Sequence, residues 1–177
     1  MPKNSAALTG VERSLAPDEL IVTKTDPSGK IRYANRTFYK FAAYSPAECI
    51  GAQHNIIRHP EMPRTVFKLL WDTIKGGDEI FSYVNNRAKN GDHYWVLAHV
   101  TPNRGANGSI TGYHSNRRAP NSDVIREHIQ PLYTALLKIE RGAGSPKDGL
   151  AAGELHVRDL LHSKGMSFNE LMFALGV

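Results

Sequence analysis

Histidine, arginine and glutamate side chains lie close together in one short stretch of the chain, residues 54–63, with the sequence HNIIRHPEMP. Its two prolines lack a backbone N–H and push the residues before them out of the helical region, so the stretch is predicted to form an irregular loop. A rigid loop would hold Arg58, His59 and Glu61 in fixed directions. Such a group suits an anionic, hydrogen-bonding ligand. The alternative is that Arg58 and Glu61 only pair with each other at the surface.

Length and composition limit the classes of protein to which the chain can belong. The 177 residues are enough for one domain with an appendage, and 41% hydrophobic and 22% charged residues are ordinary for a globular protein. No apolar run approaches the ~20 residues of a membrane span. The N-terminal sequence MPKNSAALTG lacks the apolar stretch of a secretory signal. We therefore expect a cytoplasmic protein with no direct membrane insertion.

Cysteine and charge usage exclude further classes. Cys49 is the only cysteine, which excludes an internal disulfide, a Cys-based zinc cluster and c-type haem attachment. The net charge is +5, but the basic residues are scattered and only Arg117 and Arg118 are adjacent. Because a nucleic-acid-binding protein presents a basic stripe with a recognition element, no nucleic-acid partner is expected.

The first half of the predicted domain contains a hairpin and several helices. Residues 19–25 alternate, with Leu20 and Val22 on one face, and predict a strand that turns at 26–29 into a short strand at 31–33. A helix is predicted at 35–43, and a capping box with proline at the first helical position starts a second one. After the 54–63 loop, apolar residues at i, i+3, i+4 and i+7 predict an amphipathic helix that starts at Pro63 and ends at Gly76-Gly77.

The second half of this domain is predicted to be a three-stranded meander. Strands at 80–88 and 93–101 are joined by the hairpin dipeptide Asn90-Gly91, and a third strand covers 110–117. The first hairpin is expected to pair with the free edge of the meander. The fold class is thus α+β, a five-stranded antiparallel sheet with helices crossing one face. The space between that face and the helices could hold a ligand.

The C-terminal part is predicted to be helical. Residues 122–141 carry apolar side chains at a 3.5-residue period, which suits packing against another helix, and Pro131 should kink or split this helix. Residues 142–149 look like a linker, followed by helical patterns at 150–162 and from Ser167. The predicted divisions are an N-terminal arm or cap at 1–18, the α+β domain at 19–119, a linker helix at 120–141, and a flexible linker with a helical appendage at 142–177.

Several motifs together resemble a known family. These are TDPSGKIRYANRTF at 25–38, HNIIRHPEMP at 54–63 and NRAKNGDHYWV at 86–96, with Thr-Pro and Gly-Tyr pairs in the following strands. Between residues 18 and 141 the chain resembles the PAS domain of bacterial aerotaxis receptors, a flavin-binding redox sensor. The resemblance implies a PAS fold with FAD held in the cleft between helices and sheet. It also implies an aerotaxis-like role in signal transduction and chemotaxis.

The resemblance implies a set of cofactor-binding residues. The family has Asp at the position of Glu61 and a Trp near the flavin at the position of Ile80, so this chain departs from the pattern twice. Arg58 and His59 could bind the pyrophosphate, whereas Asn86 could hydrogen-bond the redox edge of the flavin and turn when the flavin changes from acceptor to donor. The candidate cofactor-binding residues are Asn35, Arg58, His59, Glu61, Phe67, Trp71, Ile80 and Asn86.

Other functions stay open at this point. No catalytic constellation is recognisable, so an enzyme is not expected. Cys49 lacks the sequence context of a light-driven flavin adduct and is expected to be a small buried residue. The signal is expected to leave through a homodimer or through a chemoreceptor or another signalling protein. The alternatives are a cofactor-free PAS dimerisation scaffold, favoured by Ile80 and by the apolar spacing of 125–139, and a haem-binding gas sensor.

Overall fold

An antiparallel sheet of five strands forms the centre of the computed structural model, which describes residues 6–176. The strands are β1 (Ile21–Thr25), β2 (Ile31–Ala34), β3 (Ile80–Arg87), β4 (His93–Arg104) and β5 (Ile110–Arg118). Their order is β2-β1-β5-β4-β3, so the first hairpin pairs with the free edge of the meander through β1 and β5. The predicted α+β fold class and strand arrangement are confirmed.

Short helices between β2 and β3 cover the inner face of the sheet. They are α1 (Arg36–Ala42), α2 (Pro46–Cys49), a 3-10 turn (His54–Ile57) and α3 (Arg64–Gly76). Local chemistry sets their ends as the sequence predicts. Ser45 and Glu48 form the capping box of α2, and α3 ends at Gly77, whose φ of 99° is the left-handed value that glycine adopts without strain. The Cys49 side chain is buried in this layer, as expected.

The buried face of β1 is the one opposite to Leu20 and Val22. Ile21 and Thr23 are buried, whereas Leu20 is 45% exposed and Val22 lies on the outer face. The register decides this, because Thr23 lies opposite Ser115, which is itself buried on the inner face. Apolar residues occupy both faces of β1, so its alternation in the sequence could not show which face is buried.

The C-terminal helices pack on the outer face of β3 and β4. Tyr133 donates a hydrogen bond of 2.6 Å from its hydroxyl to the Tyr83 carbonyl, and the Phe173 and Phe81 rings are 4.7 Å apart. A π-helical turn ends one residue before Gln130 and so precedes Pro131, where a break was predicted. The elements are α4 (Ser122–Val124), the π-helical turn (Ile125–Ile129), α5 (Gln130–Gly142), α6 (Pro146–Lys164) and α7 (Phe168–Ala174).

The connection before α6 is shorter than the linker predicted at 142–149. Ser145 caps α6 by accepting a hydrogen bond from the Asp148 backbone N–H, and Pro146 occupies the first helical position. Only residues 143–145 therefore separate α5 from α6. Among residues 6–176, no helix combines the length and apolar character that a membrane crossing requires.

The described part of the N-terminal arm is extended and packs against the β3–β4 turn. The Thr9 hydroxyl and the Arg13 guanidinium both donate to the Asp92 carboxylate, at 2.7 and 2.8 Å. Backbone bonds join Val11 and Arg13 to His93. A Cβ on Gly91 would lie 1.9 Å from the Ala7 carbonyl oxygen, so this approach requires glycine. Residues 1–5 of the predicted arm or cap lie outside the described residues.

Candidate functional site

A cavity of about 460 Å³ lies between the inner face of the sheet and α3. This volume is within the usual range for small-molecule sites. Helix α3 contributes one wall because its apolar stripe faces the sheet, and strands β3, β4 and β5 contribute the opposite wall. The apolar lining residues are Ile57, Phe67, Leu70, Trp71, Ile74, Val84, Ala98, Val100 and Tyr113.

The charge of this cavity is one-sided. Its lining includes the cationic side chains of Arg58, Lys68, Lys75 and Arg117, and none of the lining residues that the structure describes is Asp or Glu. Lys68 is paired with Asp72 and Glu154, which lie outside the lining. Arg58, Lys75 and Arg117 form no ion pair with a carboxylate among the described residues, so on these apolar walls they create a field that favours an anionic, partly aromatic ligand.

Arg117 is the most unusual of these cations because it is only 6% exposed. Its Nη2 donates to His54 Nε2 at 2.8 Å, and Nη1 has no hydrogen-bond partner among residues 6–176. Burial lowers the pKa of Arg117 to about 10, although nearby Tyr94 acts to raise it. A buried guanidinium with an open donor is costly unless an acceptor reaches it.

His54 is a neutral partner of this cation. Burial first, and the charge of Arg117 second, hold the pKa of His54 well below its usual value. Its Nε2 accepts from Arg117 and lies 3.3 Å from the Thr23 hydroxyl. The imidazole therefore carries its proton on Nδ1, and its Nε2 lone pair is already used.

Asn86 lies on β3 at the edge of the sheet and is 3% exposed. Its Nδ2 and the Ser115 hydroxyl have no hydrogen-bond partner among residues 6–176, and both residues line the cavity. The backbone of Asn86 forms an isolated antiparallel bridge with Arg58. A polar group in the cavity could satisfy Asn86, whose backbone is joined directly to the loop.

Arg58 lies inside the cavity wall instead of pairing with Glu61. Its guanidinium stands over the Phe67 ring at 4.4 Å and donates to the Met62 carbonyl at 3.2 Å. Burial lowers the pKa of Arg58, while the Glu140 carboxylate acts to raise it. The cation–π contact orients the guanidinium along the cavity wall.

Trp71 closes the cavity beside the β1–β2 turn. Its ring packs edge-on against Tyr113 with centroids 5.5 Å apart. A Cβ on Gly29, which has a φ of 83°, would lie 3.0 Å from the Trp71 ring. The turn can therefore approach the indole only because glycine occupies this position.

The structure places four of the eight predicted residues in this cavity: Arg58, Phe67, Trp71 and Asn86. It places His59 and Glu61 in a different, open cavity of about 1140 Å³ that is also lined by Trp95. The cause is local. Arg58 is extended and pairs with Asn86, and successive side chains of extended backbone point to opposite sides.

Two other predicted residues have structural positions. The Asn35 amide oxygen accepts from the backbone N–H groups of Val22 and Phe38, and its Nδ2 donates to the Leu20 carbonyl, so it fixes α1 to β1. Ile80 is 2% exposed at the start of β3, opposite Val100, and is not part of the cavity lining.

Sequence reasoning missed several lining residues. Tyr113, Ser115 and Arg117 are every second residue of β5 and share its inner face. A strict two-residue count along this strand, starting from Tyr113, could have found the other two. No pattern in the sequence indicated His54, Lys68 or Lys75 as lining residues. Within residues 6–176, no group of three His, Cys, Asp or Glu side chains is arranged to hold a metal ion.

Comparison with known proteins agrees with this geometry. Residues 31–117 match the family model described as PAS fold. This part of the chain is a PAS domain. The aerotaxis receptor of Escherichia coli (strain K12) is 41% identical over 122 residues, which are 69% of this chain and 24% of the receptor. Phototropin-2 of Oryza sativa subsp. japonica is 28% identical over 110 residues, or 62% of this chain and 12% of that protein. The chain thus spans at most a quarter of these two relatives.

Solved structures of light-oxygen-voltage domains share the PAS fold. The dark structure of the blue-light photoreceptor Aureochrome1 LOV has a TM-score of 0.58 and 21% identity, and covers 65% of this chain and 86% of that one. A light-oxygen-voltage domain studied with a flavin analogue also has a TM-score of 0.58, at 17% identity, and covers 66% of this chain and 89% of its own. The predicted resemblance to PAS domains of the aerotaxis receptor type is confirmed.

Proposed function

We propose that this PAS protein binds FAD in the cavity and signals redox, oxygen or energy state through protein contacts, in an aerotaxis-like manner. The observation that carries the proposal is that the charged side chains lining the cavity are cationic. Within the described residues, its lining has four cations, no carboxylate, apolar walls, and buried donors on Asn86 and Arg117 that lack partners. The relationship to the aerotaxis receptor supports a sensory role.

The residues present fit the parts of FAD. Its pyrophosphate carries two negative charges, which Arg58, Lys68 and Lys75 could neutralise. Its ring system needs an apolar slot, which α3 and the sheet provide. Arg117 and Asn86 lie deeper and would donate to the polar edge of the ring. When bound, FAD supplies one- and two-electron redox chemistry.

The chain's own residues can convert a change of ligand into movement. The Asn86 amide donates through Nδ2 and accepts through Oδ1, so a ligand atom that changes from acceptor to donor favours a turned amide. Arg117 favours negative charge in the cavity. Because the Asn86 backbone is bridged to Arg58, a shift on β3 would reach the 54–63 loop and the start of α3.

The wider assignments belong to the same proposal. We expect a non-enzymatic cytoplasmic sensor domain at 19–119, a signalling helix at 120–141 and a helical appendage after it. The output would go to a second copy of the chain, or to a chemoreceptor or another signalling protein. His59 and Glu61, which line the outer cavity, would act on the loop and not on the ligand.

Two alternative functions, a cofactor-free scaffold and a haem sensor, agree less well with the cavity. A cofactor-free scaffold would leave Arg117 Nη1 buried without an acceptor among residues 6–176, which the cost of an open donor disfavours. A haem sensor needs a free imidazole in the cavity, and the Nε2 of its lining histidine, His54, is already engaged by Arg117.

An absorption spectrum of the purified protein tests the proposal. Bound flavin absorbs at about 450 nm and haem gives a Soret band instead. The empty protein should then be titrated with FAD, FMN and riboflavin, followed by heat release and chromatography of the bound molecule. We expect FAD to bind most tightly because it presents the most phosphate to Arg58, Lys68 and Lys75. A colourless protein that remains empty in excess FAD would refute the proposal.

A further inference from the structure

The first turn of α3 is held by a carboxylate from a distant helix. Glu140 on α5 accepts hydrogen bonds from the backbone N–H groups of Arg64 and Thr65, at 3.0 and 2.8 Å. It also accepts from the Thr65 hydroxyl at 2.7 Å. Pro63, at the N-cap position, has no side chain that could do this. The cap that a helix usually obtains from its own neighbouring residue is thus supplied by the C-terminal part of the chain.

Helix α6 strengthens the same contact through close packing. A Cβ on Gly153 would lie 2.1 Å from the Thr65 hydroxyl oxygen, and one on Gly149 would lie 2.3 Å from the Glu140 carbonyl oxygen. The Arg64 guanidinium donates to the Pro146 carbonyl at 2.9 Å. Helices α5 and α6 therefore contact the start of α3 as one unit, in which glycines permit the short distances.

The capped turn leads directly into the cavity wall. Phe67 lies two residues after Thr65 and carries the Arg58 guanidinium on its ring, and Trp71 follows one turn later. Glu140 is also the group that opposes the effect of burial on the pKa of Arg58. A displacement of the Glu140 carboxylate would therefore alter both the wall and the cation that we assign to the ligand.

We propose that Glu140 is a positioning residue of the cavity, through which docking of α5 and α6 and occupancy of the cavity control each other. The identity of the ligand in this proposal rests on the proposed function. Because such coupling is reciprocal, docked helices tighten ligand binding, and a bound ligand tightens the docking. The C-terminal helices are then the first receiver of the signal, inside the same chain.

Variants of the 177-residue chain separate this role from a purely structural one. Glu140→Ala removes the cap, which is typically worth ~1 kcal/mol, so FAD affinity should fall about fivefold at ~1.4 kcal/mol per tenfold. Glu140→Gln keeps one acceptor oxygen and should recover part of the affinity. Gly153→Ala should act like Glu140→Ala by forcing α6 away from Thr65. Gly142→Ala is the matched control, because its added Cβ meets no atom within 4 Å.

Hydrogen exchange tests the reciprocal effect. Exchange of the Arg64 and Thr65 amides and of α6 should rise in Glu140→Ala, and addition of FAD to the wild type should slow exchange in α6. If exchange at Arg64 and Thr65 rises while FAD affinity is unchanged, Glu140 is only a cap and the proposal fails. It also fails if FAD leaves exchange in α6 unaltered.

A readout without flavin keeps this proposal separate from the proposed function. In a Trp95→Phe background Trp71 is the only tryptophan, since the chain has two. Iodide is an anion suited to the cationic cavity. In the empty protein, the extent to which iodide quenches the fluorescence of Trp71 should differ between the Glu140→Ala variant and the same protein with Glu140. If FAD never binds, the proposed ligand is wrong, but a changed quenching still supports Glu140 as a positioning residue. Unchanged quenching would overturn it.

Discussion

Replacement of Arg117 by methionine should change stability and ligand binding in opposite directions. In the empty protein Arg117 is 6% exposed and has one guanidinium nitrogen without a partner among the described residues. Burial lowers its pKa by more than two units, to about 10. At ~1.36 kcal/mol per pKa unit, keeping this charge buried costs ~3 kcal/mol at neutral pH. Arg117→Met removes that cost and keeps an unbranched, apolar side chain of similar length.

The net gain is smaller because some packing and the bond to His54 are lost. We expect the free energy of unfolding of the empty variant to be ~1–2 kcal/mol higher than that of the wild type, since replacing buried charges by apolar groups is often stabilising. For a chain of this size each kcal/mol raises Tm by ~2–4 °C. In the wild type the unfolded state binds more protons between pH ~10 and the ordinary pKa of arginine, so the penalty is present in full below pH ~10 and fades above it.

FAD binding should respond in the opposite way. Removal of one partner from a buried, charged hydrogen bond costs ~2–5 kcal/mol, which is about thirtyfold or more in affinity. Thermal unfolding of the empty proteins and FAD titration measure the two effects, and Arg118→Met, an exposed neighbour, is the control. An Arg117→Met protein that is less stable when empty and binds FAD like the wild type would refute this reasoning.

Two further outcomes concern the cavity's other ionisable groups. Arg58→Ala should purify folded but largely without flavin, with a loss of ~2–5 kcal/mol in binding, and Arg58→Lys should recover part of it because lysine lacks the planar fork. Flavin-to-protein absorbance ratios with circular dichroism measure this, and full occupancy in folded Arg58→Ala would contradict it. The pKa of His54 is lowered in the folded protein, so the unfolded chain binds a proton at this residue more readily. The free energy of unfolding is therefore fully retained above pH ~6.5 and decreases as the pH falls below that value. Urea unfolding of His54→Gln between pH 7 and 5 should show a weaker pH dependence, and an unchanged dependence would show that His54 is not the cause.

The sequence was sufficient for the fold because its local signals agree with one another. Capping residues, the Asn90-Gly91 turn and the apolar stripe of α3 each specify one element, and together they leave one arrangement for the hairpins. The predicted linker at 142–149 was too long, because Ser145 and Pro146, which look like turn residues, are here the start of a helix. Composition alone could not distinguish the two uses.

The site was harder to predict because the direction of each side chain decides which cavity it lines. Arg58 and His59 are adjacent, yet they face different cavities because the backbone between them is extended. Asn35 has the residue type of a ligand contact but is a helix cap. Arg117 could be found only by counting along β5 from Tyr113, because arginine is rarely buried and its residue type gives no reason to place it inside.

The packing of the C-terminal helices distinguishes the sensor from the scaffold hypothesis. The scaffold hypothesis relied on the apolar spacing of residues 125–139 as a surface for another helix. In the structure Ile129 and Leu136 are buried within the chain, and Tyr133 between them is bonded to the outer face of β3. This surface is therefore used internally, so it gives no support to a helix-mediated dimer. It also places α5 in contact with both faces of the domain, with β3 through Tyr133 and with α3 through Glu140. Because both contacts are made by one helix, a shift of either β3 or α3 in the cavity wall must alter the position of α5 before any partner is reached.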